Sequence, residues 1–281
     1  MEKASFVDLS GTYFAEDERI FTVANRSFRY GDGVFESIRI INGKTHLLEL
    51  HIQRLFNAAR FLKIELPEEW NYEFFQDAIL RLADKNGVAE NGRLRLSIFR
   101  QQGGLYSPKR NGGEYVLEAR GHDVQGFPLN EEGLRVDIYT EIEKTTNHYS
   151  NFKTSNSLVY VMASLYRKEH NLDDCFIINS KSRVIEAISA NIFFIRDGKI
   201  YTPPLSEGCI SGIMRTHLLQ LMEKEGMQVQ ETPLTLEELF QADELFLTNT
   251  IQGIRWVKNY KIHEYKLKVA KKLAKMLNKA I

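Results

Sequence analysis

Val184-Ile185-Glu186-Ala187-Ile188-Ser189-Ala190-Asn191-Ile192-Phe193-Phe194, followed by Cys209-Ile210-Ser211-Gly212-Ile213-Met214-Arg215, is the stretch on which the reading of this chain turns. The first segment is rich in β-branched and aromatic residues, and its pattern predicts a strand over 187–196. On a period of two, Glu186 shares a face with Ile188, Ala190, Ile192 and Phe194. A carboxylate leading an apolar face needs a partner if it is buried. Two readings stay open: an exposed strand end, or a carboxylate that holds a proton on a heterocyclic nitrogen. The second segment opens a predicted helix over 212–225 with a glycine near its first turn. Backbone N–H groups at such a start make an anion site, or mark a plain helix beginning.

Around this stretch the composition is that of a globular protein. The 281 residues carry 37 basic and 37 acidic side chains, so the net charge is zero, and 43% are hydrophobic. That disfavours a binder of nucleic acid, which ordinarily shows a basic balance. The Lys-rich C-terminus over 258–279 has an apolar stripe at Leu267, Leu273 and Leu277 and reads as a solvated helix face. The first residues, MEKASFVDLSGTYF, lack the apolar core of a signal peptide, and no apolar run approaches the ~18 residues of a membrane span. Cys175 and Cys209 stand alone, with no metal or disulfide spacing. The expectation is a cytoplasmic protein that engages neither membrane nor nucleic acid.

The loop-like stretch 121–133 (GHDVQGFPLNEEG) divides the chain. We expect a small α+β domain over 1–120, a linker over 121–133 and a larger α/β domain, barrel-like, over 134–281. In the first half a turn at Gly31-Asp32-Gly33 leads into a strand within 30–41, and Asn42-Gly43 is a two-residue hairpin turn. Helices follow over 49–62 and 70–85, then strands over 93–100 and 114–119. In the second half strands are expected at 134–140, 175–179, 187–196 and 244–247. Helices are expected at 155–170, 212–225 and 236–241.

Three further features could carry chemistry. Lys153 lies in Asn151-Phe152-Lys153-Thr154-Ser155-Asn156, just before the predicted helix at 155. Partial desolvation beside an aromatic would lower its pKa and make the amine a Schiff-base former; otherwise it is a surface charge. Arg54 has Leu47, Leu50, Ala58 and Phe61 as helical neighbours, so it either snorkels to the surface or is buried against an anion. Thr248-Asn249-Thr250 follows the apolar strand Leu245-Phe246-Leu247, where hydroxyls can hold phosphate or cap a turn. A lysine, a carboxylate, an arginine on an apolar stripe and two anion cradles are together what a pyridoxal phosphate site requires.

The stretch from Glu186 through Asn191 and Phe193 to Thr202, then Ile210 to Arg215, resembles the signature of the class IV aminotransferases, the fold-type IV pyridoxal phosphate enzymes. Tyr30-Gly31-Asp32-Gly33-Val34-Phe35-Glu36, His51-Ile52-Gln53-Arg54-Leu55, Lys153 with Asn156, and Thr248-Asn249-Thr250 extend the resemblance over nearly the whole chain. It implies that Lys153 is the Schiff-base lysine and proton shuttle and that Glu186 partners the pyridine nitrogen. It implies that Arg54, the Ile213 and Met214 N–H groups and the Thr250 hydroxyl hold the phosphate, and that Ile210 packs on the ring face. It further implies a two-domain homodimer with the active site between domains, reached by residues of the neighbouring subunit.

The member of the family is read from departures. Branched-chain enzymes usually have a glycine where this chain has Ser37, a tyrosine where it has Leu158, and an Arg-Pro strand pair where it has Arg95-Leu96. Aminodeoxychorismate lyases favour a small hydroxyl residue at the position of Glu36, although Lys153 to Leu158 and Gly103-Gly104 look similar to theirs. D-amino acid enzymes typically show Tyr-Glu where this chain has Phe35-Glu36, and their Arg-x-His pair is not clean here. The expectation is an aminotransferase of the D-amino acid type that uses 2-oxoglutarate. Arg29 or Arg95 would serve as the substrate-carboxylate cation, with Phe35 and Asn249 in the substrate pocket. A branched-chain L-amino acid aminotransferase, the lyase and an inactive dimeric binding module are the alternatives.

Overall fold

The computed structural model describes residues 5–279. Within them the chain forms two compact units: one running up to Gln125 and including Phe152–Asn156, the other made of Gly126–Asn151 and the chain from Ser157 on.

The first unit contains β1 (Phe6–Leu9), β2 (Thr12–Ala15), α1 (Arg26–Tyr30), β3 (Gly33–Ile41), β4 (Lys44–His46), α2 (Leu48–Phe61), α3 (Tyr72–Lys85), β5 (Asn91–Arg100) and β6 (Gly113–Gly121). Its strands make one antiparallel sheet in the order β2-β1-β6-β5-β3-β4. The period of two sends Val34, Ile38 and Ile40 of β3, with Leu94, Leu96 and Ile98 of β5, into one cluster with Leu48, Ile52 and Leu55 of α2 and Ile79 and Leu82 of α3. Glu36 falls on that helix-covered face. Phe35 and Ser37 fall on the other, opposite Ser97 and Arg95 of β5. Asn42 and Gly43 take φ of 52° and 73°, the left-handed pair that a two-residue β3–β4 hairpin needs.

The turn read at Gly31-Asp32-Gly33 leads into β3 at Gly33, and the residues before it, Arg26–Tyr30, form a helix turn ended by Gly31 at φ 65°. The apolar stripe of α2 is also phased differently from the reading around Arg54. Leu48, Ile52, Leu55, Phe56 and Ala59 fill the core, whereas Phe61 is exposed.

The second unit contains β7 (Leu134–Lys144), α4 (Leu158–Glu169), β8 (Asp174–Asn179), β9 (Val184–Ala187), β10 (Asn191–Arg196), β11 (Lys199–Thr202), α5 (Ile213–Lys224), β12 (Val229–Glu231), α6 (Leu236–Gln241), β13 (Glu244–Asn249), β14 (Gly253–Tyr260), β15 (His263–Glu264) and α7 (Val269–Lys279). The sheet runs β12-β11-β10-β13-β14-β7-β8-β9, with β15 on β14. Parallel pairs β7–β8, β7–β14 and β11–β12 mix with antiparallel ones. The last strand, β9, comes back beside β10, so the sheet curls into a half-barrel. Val136, Phe176, Val184, Ile192, Phe194, Leu245 and Val257 fill its interior. This is the mixed α/β, barrel-like architecture expected.

One strand reading is corrected here. The run 187–196 is two strands, β9 and β10, because the Ala187 N–H donates to the Ala190 carbonyl and closes a turn between them. Glu186 therefore sits in β9 and does not share a strand face with Ile188, Ala190, Ile192 and Phe194. The helix predicted from 155 begins at Leu158. Among the described residues, no helix is long and apolar enough to cross a membrane.

Candidate active site

In the first unit the site is built on β3. Lys153 is not at a helix start: its carbonyl accepts from the Phe35 N–H at 2.9 Å, and the Ser155 N–H donates to the Gly33 carbonyl at 2.9 Å. Residues 153–155 thus run along the N-terminal end of β3 on the flank opposite β5, with Thr154 bridged to Val34. Pinned this way, the Lys153 Nζ lies 4.1 Å from the centroid of the Phe35 ring. The Arg95 guanidinium lies 3.6 Å from the centroid of the same ring. Arg95 makes a loose 3.8 Å pairing with the half-exposed Glu118. Its pKa is lowered by burial. Two cations thus share one aromatic ring, which attracts both through its quadrupole.

On the helix-covered face, Glu36 is 1% exposed and held by α2. Arg54 grips it bidentately, Nε to Oε1 at 2.7 Å and Nη2 to Oε2 at 2.6 Å, and His51 Nδ1 lies 2.6 Å from Oε2. Burial alone would raise the Glu36 pKa. Arg54 and His51 outweigh it and bring the carboxyl down to about 2. Burial keeps His51 below its ordinary value, against the pull of Glu36. Of the two readings for Arg54, burial against an anion is what the structure has, the anion being the chain's own Glu36. A guanidinium has five N–H donors, and two serve Glu36.

In the second unit the centre is Glu186, 3% exposed. Its Oε1 accepts from Lys144 Nζ at 2.6 Å and from the Tyr160 hydroxyl at 2.7 Å; its Oε2 accepts from the Ile210 N–H at 2.8 Å. Burial and the neighbouring Glu186 push the Tyr160 hydroxyl well up, so it remains a donor. Asn191 then shapes the segment before α5. Its Nδ2 donates to the Ile210 carbonyl at 2.8 Å, and its Oδ1 lies 1.7 Å from where a Gly212 Cβ would be. Gly212 is the N-cap of α5 and supplies no side-chain cap. The first-turn N–H groups, those of Ile213 and Met214 included, have no intrahelical partner and so suit an anion. Helix α5 packs on β13, where the Thr248 Oγ1 is buried without a partner.

The other candidates fall as follows. Arg29 is exposed on α1, its Nε on the Val23 carbonyl at 2.6 Å. Asn249 ends β13, and its Oδ1 accepts from the N–H groups of Ile251 and Gln252, so that side chain builds the turn after the strand. Thr250 follows it, half-buried. Three polar groups were not singled out as site residues from sequence: Lys144, Tyr160 and Glu36. A lone carboxylate on the buried apolar face of Val34, Ile38 and Ile40 was a usable signal for Glu36. Lys144, in the charged run Glu141-Ile142-Glu143-Lys144, gives none.

Comparison with known proteins agrees with this geometry. The profile of the amino-transferase class IV family matches residues 33–260. A putative branched-chain-amino-acid aminotransferase of Methanocaldococcus jannaschii is 32% identical over 248 residues, 88% of this chain and 84% of that protein. An aminodeoxychorismate lyase of Vibrio harveyi is 27% identical, over 87% and 89% of the two chains. A D-alanine aminotransferase of Bacillus licheniformis is 29% identical, over 86% and 83%. Among solved structures, a branched-chain aminotransferase of Thermoproteus uzoniensis superposes with a TM-score of 0.87 at 25% identity, covering 98% of this chain and 93% of that one.

Proposed function

Because the chain belongs to the class IV aminotransferases, enzymes that use pyridoxal phosphate, we propose that it moves an amino group between an α-amino acid of D configuration and a 2-oxo acid such as 2-oxoglutarate. The residues fit the cofactor. Glu186 Oε2 keeps acceptor capacity for a ring nitrogen, and α5 begins without a side-chain cap. When bound, the cofactor supplies an electron sink that stabilises negative charge at the substrate Cα.

The chain's own residues then have these tasks. Lys153 attaches the cofactor covalently and carries the proton to and from the substrate Cα. Glu186 holds the proton on the ring nitrogen. Arg54, the Ile213 and Met214 N–H groups and the Thr250 hydroxyl bind phosphate, and Ile210 supports the ring face. Of the two arginines proposed for the substrate carboxylate, we assign Arg95. The observation that carries the amino-acid reading is its position beside Lys153 on the Phe35 ring. An α-amino acid brings a carboxylate one carbon from the reacting amine, and a cation that shares the Phe35 ring with the lysine is suited to meet it. Arg29, already engaged by Val23, is the weaker candidate.

The D configuration is supported by Ser37, Leu158 and Leu96 standing where branched-chain enzymes usually differ. An L-branched-chain amino acid is the second reading, favoured by the 32% identity to the methanogen protein. A half-reaction decides between them. The cofactor-loaded protein is mixed with D-alanine, D-glutamate, L-leucine or L-glutamate, and conversion of the cofactor to its amine form is followed by absorbance. Conversion by L-leucine and by neither D-substrate would refute the D reading; pyruvate and p-aminobenzoate released from aminodeoxychorismate would replace it with the lyase. The same proposal has the enzyme act as a cytoplasmic homodimer, with a sedimentation mass about twice the 32.5 kDa of the chain.

A further inference from the structure

We propose that Lys144 and Tyr160 are positioning residues that lock the Glu186 carboxylate so that Oε2, and not Oε1, is the atom presented to the cofactor's ring nitrogen. The inference rests on the function proposed above and on the geometry within the second unit alone. A carboxylate oxygen has two in-plane lone pairs. Oε1 spends both, one on the Lys144 ammonium at 2.6 Å and one on the Tyr160 hydroxyl at 2.7 Å. Oε2 accepts one backbone N–H, that of Ile210 at 2.8 Å, and has room for one more donor.

The three donors come from three separate elements, β7, α4 and the segment leading into α5, so the carboxylate is fixed against rotation in its own plane. Lys144 is itself anchored, its Nζ donating to the Ser150 carbonyl at 3.0 Å, and its charge lies 5.6 Å from the centre of the Tyr160 ring. With side-chain exposures of 12% for Lys144 and 4% for Glu186, the pair is screened little by solvent. The lysine balances the carboxylate charge before any ligand arrives, and it does so at the oxygen away from the open lone pair. The buried carboxylate thereby becomes a directed acceptor that accommodates a ring N–H. The tyrosine adds direction without charge. A helix residue two positions beyond the exposed Leu158 thus supplies a hydroxyl that Leu158 itself could not.

The test compares Tyr160→Phe, Lys144→Met and Lys144→Arg with the unaltered protein. Cofactor affinity is measured by titrating the cofactor-free protein with pyridoxal phosphate, and the absorption maximum of the loaded protein is recorded. By analogy with removal of groups that orient a ligand-binding side chain, affinity should fall ~10-fold for Tyr160→Phe and up to ~100-fold for Lys144→Met. Both absorption maxima should shift, and Lys144→Arg should restore affinity and spectrum. Tyr160→Phe keeps the ring and removes one oxygen, so it reports even if Lys144→Met fails to fold. Unchanged affinity and spectrum in Tyr160→Phe together with an unchanged spectrum in a folded Lys144→Met would overturn the proposal. So would a Lys144→Arg variant that behaves like the methionine variant. If the unaltered protein binds no pyridoxal phosphate, the proposed function fails before the variants are compared, which keeps the two failures distinct.

Discussion

Replacing Glu36 by glutamine removes one negative charge from a face that is otherwise apolar and leaves Arg54 and His51 facing a neutral amide. The magnitude follows from the geometry. The Glu36 carboxyl lies at about 2, against 4.5 for the free side chain. Each unit of that depression corresponds to 1.36 kcal/mol, so the ionised carboxylate contributes about 3 kcal/mol at neutral pH. The folded pKa lies below the unfolded one, so this stability is complete above about pH 4.5 and is lost as pH falls toward about 2. Breaking a buried pair by removing one partner costs about 3–5 kcal/mol, because the remaining cation keeps its desolvation cost. Both routes give the same scale. Urea unfolding of Glu36→Gln and the unaltered protein at pH 7 should therefore differ by ~3 kcal/mol, and the difference should shrink as the pH is lowered from 4.5 to 2.5. The reasoning fails if the variant is within ~0.5 kcal/mol of the parent at pH 7, a value typical of exposed ion pairs, or if the difference does not depend on pH.

Gly212→Ala should lower pyridoxal phosphate affinity at least ~10-fold, since its Cβ would lie 1.7 Å from Asn191 Oδ1 and displace the clamp on Ile210; fluorescence titration of the cofactor-free protein measures this. Arg95→Met should raise the amino-acid KM by ~10–100-fold with less effect on cofactor binding, because it removes a charged hydrogen-bonding partner of the substrate carboxylate; steady-state kinetics give the split. Both cysteine thiols are buried and pushed up to about 12 by burial. Neither should react with a thiol reagent in the native protein over an hour, whereas both should in denaturant.

The sequence by itself determined much of this protein. Alternation in β3 and β5, Asn42-Gly43 and the spacing on α3 are local signals, and each formed where its pattern placed it. The resemblance named Lys153, Glu186 and Arg54, the residues proposed to meet the aldehyde, the ring nitrogen and the phosphate of the cofactor. What the sequence could not hold was anything that depends on distant segments meeting. Lys153 packs on β3, more than a hundred residues earlier, through hydrogen bonds that no periodicity encodes. The break between β9 and β10 carries no glycine or proline to mark it: the Ala187 N–H and the Ala190 carbonyl close the turn on one another, with Ser189 exposed. The charges are the clearest case. Glu36 answers Arg54, and Lys144 answers Glu186, so the neutral total conceals buried pairs. A side chain's charge is fixed by its identity, but which charge it faces is decided by the fold, since a buried ion is tolerated only where its partner has been brought to it.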